Sequence, residues 1–86
     1  MKIWTLDYNG HSIRVENTWL GARLLVDGVI QDEFKGIGFS IKLNGKISSG
    51  TSAGEVIKVS LGGFFAIDCS VFVDDKPVLS SSRSYS

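Results

Sequence analysis

Apolar residues fall at every second position through most of this chain. In "IGFSIKL", Ile37, Phe39, Ile41 and Leu43 alternate with Gly38, Ser40 and Lys42, the pattern of a strand with one face in a core and the other in water. "EVIKVSL" sets Ile57, Val59 and Leu61 on one side in the same way. "FFAIDCSVFV" places Phe65, Ile67, Cys69, Val71 and Val73 on one face and Phe64, Ala66, Asp68, Ser70 and Phe72 on the other. Both of its faces are partly apolar, so it reads as a central strand or as one whose outer face meets a partner. "HSIRVE" and "ARLLVD" are shorter runs that turn Ile13, Val15, Leu24 and Val26 inward, and the opening "KIWTLDY" offers Trp4, Leu6 and Tyr8 on one side.

Turn chemistry separates these runs. Asn9-Gly10, Asp27-Gly28 and Asn44-Gly45 tolerate the positive φ that a type I′ hairpin turn needs at both central positions. Asp74-Asp75 is a weaker form of the same signal. The one candidate for helix is "VIQDEFKGI", where Ile30, Phe34 and Ile37 keep roughly helical spacing until Gly36 interrupts it; a turn of helix near residues 30–36 is expected there and nowhere else. Short strands joined by Gly, Asn and Asp turns predict an all-β chain, a small antiparallel β-sandwich or flattened barrel of about seven or eight strands. Residues 1–80 are expected to form one domain. The end of the chain, "SSSRSYS", has little to bury, and 81–86 read as a loose tail.

The chain also echoes itself. "NGHSIRV" followed by "GARLLVDGVI" parallels "AGEVIKV" followed by "CSVFVDDKPVL": a Gly, a strand, a link, a second strand and a Val-Asp turn. An internal duplication of a hairpin unit predicts Val26 and Val73 in the core and Asp27 and Asp74 at strand ends. The stretch from His11 to Val15, then Gly21 to Gly28, resembles the start of the β-sandwich domain of the Fas apoptotic inhibitory molecule family. "IKVSLGGFFAIDCSVFVDDKPV" is similar to that domain's second half. The resemblance spans most of residues 10–79 and rests on strand and turn positions. That family is built from two such sandwiches, and this chain has length for one. What the resemblance implies is a non-enzymatic all-β protein.

Length and charge narrow the picture. A chain of 86 residues buries only somewhat more than about 60% of the surface its unfolded form exposes, which leaves little room for a deep cleft. Nine basic residues balance nine acidic ones, so no overall bias draws it to nucleic acid, anionic lipid or acidic substrates. Near-zero net charge does favour self-association. A single cysteine excludes an internal disulfide and a thiolate zinc site. "MKIWTLDYNG" is too polar for a signal-peptide core, and no run approaches the about 20 apolar residues of a membrane helix. The expectation is a soluble, cytoplasmic protein.

Candidate chemistry is sparse. His11 and Cys69 form the only conceivable Cys-His pair, but Cys69 lies on a strongly apolar face, where a thiol packs as an inert small hydrophobe. Asp32 with Glu33 and Asp74 with Asp75 are acid pairs without the ligand spacing of a calcium loop. "GIGFS" and "GTSAGE" are fragments of phosphate-loop patterns that read better as turns. Arg14, Lys42 and Lys58 would make a basic stripe only if their strands were neighbours, and Glu16, Glu55 and Asp68 dilute it. No catalytic residue, metal, cofactor, nucleic acid or membrane is therefore expected. "ENTWLGA" is less easily absorbed, because a linking segment does not need Trp19 and Leu20. Either Trp19 caps the end of the core, or Trp19 and Leu20, with Phe64 and Phe72, form a contact surface. The sequence thus favours a binding module for a protein partner or a second copy of itself. The other reading is a small-ligand or carbohydrate binder using the end loops near Trp19 and Tyr8.

Overall fold

The computed structural model describes residues 2–36, 40–62 and 68–81. They form strands β1 (Lys2–Tyr8), β2 (His11–Thr18), β3 (Gly21–Val26), β4 (Val29–Lys35), β5 (Ser40–Lys46), β6 (Val56–Gly62), β7 (Asp68–Val73) and β8 (Lys76–Ser81). Each strand pairs antiparallel with its sequence neighbour inside two sheets, β1-β2-β3-β4 and β5-β6-β7-β8. The sheets pack on one another as a sandwich, with β5 lying against β3 and β4. One core fills the space between them. Sheet β1–β4 contributes Trp4, Ile13, Val15, Ala22, Leu24 and Val26; the other contributes Ile41, Leu43, Ile57, Val59, Leu61, Cys69, Val71 and Val73. The period-two rows of the sequence are these inward faces. Burying each aliphatic side chain favours folding by about 1.5–3 kcal/mol, against the chain entropy lost on ordering.

Three tight turns have the backbone their residues require. Asn9 and Gly10 have φ of 48° and 83°, Asp27 and Gly28 of 51° and 82°, and Asp74 and Asp75 of 50° and 65°. Positive φ at both central positions matches the right-handed twist of the flanking strands.

The two halves repeat one another in register. Ile13 opposes Val26 as Ile57 opposes Val73, and Val15 opposes Leu24 as Val59 opposes Val71. A register shift follows at the same place in both halves, between Leu24 and Leu25 and between Val71 and Phe72, making Gln31 and Val78 the extra residues. The Asp turns also match. The Asp27 amide donates to Ser12 O at 2.8 Å while its Oδ1 accepts from Ser12 N at 2.9 Å. Asp74 does the same with Val56, at 2.9 and 2.8 Å. Val26 and Val73 are both buried. The halves differ in their links: residues 19–20 join β2 to β3, whereas 63–67 join β6 to β7, and 47–55 replace the Asn9-Gly10 turn.

Two sequence expectations are corrected. Residues 29–35 are strand rather than a turn of helix. Ile30 and Phe34, whose spacing fits a helix, oppose Leu25 and Ala22 on β3, and the bulge at Gln31 between them breaks the period of two by which a strand is recognised. Asn44-Gly45 is no turn; it lies inside β5. Gly45 is there because the sheets come close: a Cβ on it would sit 2.9 Å from Gln31 Cβ and 3.1 Å from Leu24 Cδ2. Residues 37–39, including Ile37 and Phe39, and the tail from residue 82 lie outside the described residues, as do Phe65 and Ile67; Ser81 closes β8.

Gly45→Ala is therefore expected to lower stability by about 1–3 kcal/mol, the cost of overpacking a filled site. The measurement is the urea midpoint at unchanged denaturant slope, and an unshifted midpoint would contradict this packing.

Candidate functional site

Strand β2 runs on through Thr18 and β3 starts at Gly21, so only Trp19 and Leu20 remain as a hairpin tip. The tip is fixed by short polar contacts. Leu20 N donates to Thr18 Oγ1 at 3.2 Å, Thr18 Oγ1 donates to Gly21 O at 3.3 Å, and Gly36 N donates to Leu20 O at 2.9 Å. Gly21 has φ +148°, and a Cβ there would fall 1.9 Å from Phe34 O, so β3 and β4 meet too closely for any side chain. Held this way, Trp19 is 86% and Leu20 82% exposed. Trp19 does not cap the core, because a two-residue link cannot fold back over the end of its own sheet.

Beside the tip is an open hollow of about 500 Å³. Leu20, Ala22 and Phe34 form its apolar part, and Arg23, Glu33 and Lys35 its charged part. Phe34 opposes Ala22 across β3–β4 and stays 36% exposed at the margin of the core. Arg23 is steadied by Glu16, which lies between Arg14 Nε and Arg23 Nη2 at 2.8 Å from each. Glu16 is almost buried under these two guanidinium groups, so its charge is locally neutralised.

The other proposed contact residues do not join this site. Phe72 faces outward from β7 and is half-buried, opposite Lys58 on β6. It borders a separate shallow hollow of about 320 Å³ with Lys42, Asn44, Lys58 and Ser60 on the outside of sheet β5–β8. Lys58 reaches Asp75 at 3.2 Å. Arg14 is on the other sheet, so it makes no stripe with Lys42 and Lys58. Phe64 lies outside the described residues.

The opposite end of the sandwich is polar. His11 Nδ1 and Asp27 Oδ2 are 2.7 Å apart, Tyr8 OH donates to Glu55 Oε1 at 2.7 Å, and Asn9 Nδ2 donates to buried Ser52 Oγ at 2.8 Å. The hydrogen bond with His11, then that from the Ser12 amide, holds the Asp27 carboxyl below its ordinary range. Hydrogen bonds from Tyr8 and then Ser52 do the same for Glu55, and the bond to Glu55 raises the Tyr8 phenol. These groups tie the 47–55 link to the β1–β2 and β3–β4 turns. Cys69, opposite Leu61 towards the other end, is fully buried, and burial pushes its thiol up to about 12. His11 and Cys69 are therefore not a pair. Three of the paired acids have structural work too: Asp32 Oδ2 accepts from Asn44 N at 2.8 Å, and Asp74 and Asp75 are engaged as described. Among the described residues, no three His, Cys, Asp or Glu side chains gather as a metal would require. Sequence reasoning missed Phe34, read as helical, and the caps made by Gln31 and Asp32, which only the meeting of β4 with β5 reveals.

Comparison with known proteins finds no family model, no curated protein and no solved structure that matches this chain.

Two outcomes are expected from these environments. Cys69 should react with a thiol reagent only at the rate of unfolding at neutral pH, and rapid labelling of the folded protein would contradict its burial. The lowered Asp27 pKa means that this carboxylate stabilises the fold above the ordinary value of about 3.9, and that the contribution is lost as pH falls through the folded value. The stability gap between wild type and Asp27→Asn, read from urea midpoints, should therefore narrow on acidification. A gap that stays constant would remove the charge from the argument.

Proposed function

We propose that this chain is a non-enzymatic β-sandwich binding module that contacts a protein partner, or a second copy of itself, through the Trp19–Leu20 tip. The observation that carries this reading is two adjacent large apolar side chains, 86% and 82% exposed on a hairpin held by Thr18 and Gly36. Leaving such surface in water forgoes burial free energy, and tryptophan is enriched among the residues that dominate binding. A rigid tip also loses little entropy on docking. The resemblance of residues 10–79 to a sandwich of the Fas apoptotic inhibitory molecule family agrees with a non-enzymatic role. A lone buried thiol agrees with a cytoplasmic setting.

A second reading is a small-ligand or carbohydrate binder. The hollow beside the tip favours it, since Arg23, Glu33 and Lys35 offer polar groups next to the apolar surface of Leu20 and Phe34.

The test is the double variant Trp19→Ser, Leu20→Ser. Its stability should stay within about 0.5 kcal/mol of wild type, as for exposed positions, while a protein retained saturably by the immobilised wild type is no longer retained. Equal retention by the folded variant would end the tip reading, and saturable binding of a glycan that quenches Trp19 fluorescence would favour the second.

A further inference from the structure

The two seams of the sandwich are closed differently. Where β4 meets β5, edge amides of β5 are covered by side chains: Asp32 Oδ2 accepts from Asn44 N at 2.8 Å and Gln31 Oε1 from Lys46 N at 3.5 Å. The repeat gives each of these residues a counterpart at the other seam. Asn44 opposes Lys58 as Thr5 opposes Arg14, and Lys46 opposes Val56 as Asp7 opposes Ser12. The caps correspond to β8 residues: Asp32 opposes Leu24 as Leu79 opposes Val71, and the extra residues are Gln31 and Val78. Valine and leucine have nothing with which to accept a hydrogen bond.

Strand β1 is thus an edge without caps. The two-residue Asn9-Gly10 turn makes Tyr8 and His11 the bonded closing pair, so Ile3, Thr5 and Asp7 turn their backbone groups away from β2. Among the described residues, none accepts from these three amides. Strand β8, the other edge at this seam, starts with Lys76 and Pro77 and bulges at Val78, features that blunt an edge. Strand β1 shares the leading lysine, in Lys2, but has neither proline nor bulge: it is seven residues long and unbroken in register. The core is only partly covered at this seam. The partly buried apolar residues packed against it are Leu6 and Tyr8 of β1 and Val78 and Leu79 of β8. Trp4, also on β1, is buried, and its indole Nε1 has no partner among the described residues.

We infer that β1 is an interface strand that pairs antiparallel with β1 of a second copy of this chain about a two-fold axis at Thr5. The sequence of the strand selects this occupant. With Thr5 opposite its own counterpart, Trp4 meets Leu6 and Lys2 meets Tyr8 on the core side, while Ile3 meets Asp7 on the outer side. Apolar faces match apolar faces, as pairing in register demands. The antiparallel arrangement sets Trp4 of each copy against Leu6 of the other, the self-complementary contact that a two-fold interface requires. The two-fold keeps both core faces on one side, so two four-stranded sheets become one continuous sheet, and the Val78 and Leu79 edges of the two copies draw together over it. This interface is independent of the Trp19 tip.

Sedimentation equilibrium of the intact chain over a concentration series tests the inference. Wild type should approach about twice the 9.3 kDa chain mass. Thr5→Pro and Thr5→Lys each leave the bonds of β1 to β2 in place but obstruct an approaching strand, and both should sediment as folded monomers; if the proline variant does not fold, the lysine variant decides. Thr5→Cys should form a covalent dimer on mild oxidation, because the axis places the two thiols opposite one another and Cys69 is buried. The Trp19→Ser, Leu20→Ser variant should remain a dimer. A wild type that is monomeric throughout, a folded Thr5→Lys variant that still dimerises, or a dimer abolished by the tip variant would each overturn the inference.

Discussion

Every edge of a β-sheet is a row of amides and carbonyls that the ladder leaves without partners, and two four-stranded sheets have four such edges. Much of this molecule is arranged around that constraint. At one seam, β4 lends Gln31 and Asp32 to the amides of β5, and Gly45 lets the strands come close enough for those short side chains to reach. At the other, β8 carries a proline and a bulge while β1 runs straight and uncapped. The bulge at Gln31 belongs to the same arrangement, since it sets two consecutive polar residues toward the same neighbouring strand.

The matching registers of the halves show how one local solution is used twice. Each half builds a four-stranded meander with an Asp turn between its third and fourth strands, and each Asp closes the turn by binding the amide at the start of the second strand. The halves differ most plainly in their links. Where one half has the Asn9-Gly10 turn the other has the 47–55 link, which covers the His11 and Tyr8 end. Where one half has the exposed Trp19–Leu20 tip the other has residues 63–67. Binding chemistry is therefore most readily sought in what differs between the halves.

The strands were legible because alternation reports directly on burial. Ile13, Val15, Leu24, Val26, Ile57, Val59, Leu61, Val71 and Val73 could all be assigned to the core from period alone, and all are buried. Turn dipeptides were less reliable. Asn9-Gly10 and Asp27-Gly28 turn, but the identical pair Asn44-Gly45 stays in a strand, because its glycine answers to a neighbouring sheet that no local window contains. Residues 29–35 failed for the complementary reason: a bulge shifts the phase, so the alternation that marks a strand is lost and the spacing of Ile30 and Phe34 fits a helix instead. The candidate site was only half visible. Trp19 and Leu20 stood out as apolar residues in a link, yet their exposure follows from how short that link is, and the hollow beside them depends on Phe34 arriving from another strand.

The single core has a consequence for how the molecule comes apart. Neither meander has an apolar partner of its own; among the described residues, the inward row of one sheet is the main cover for the inward row of the other. A half released from its mate would present Ile13, Val15 and Leu24, or Ile57, Val59 and Val71, to water on an open face. Partial unfolding along the line between the halves thus forfeits nearly all the burial that holds either one, and the repeated chain behaves as one cooperative unit rather than as two domains in tandem. The same meander is built twice here without making the stability of the chain divisible.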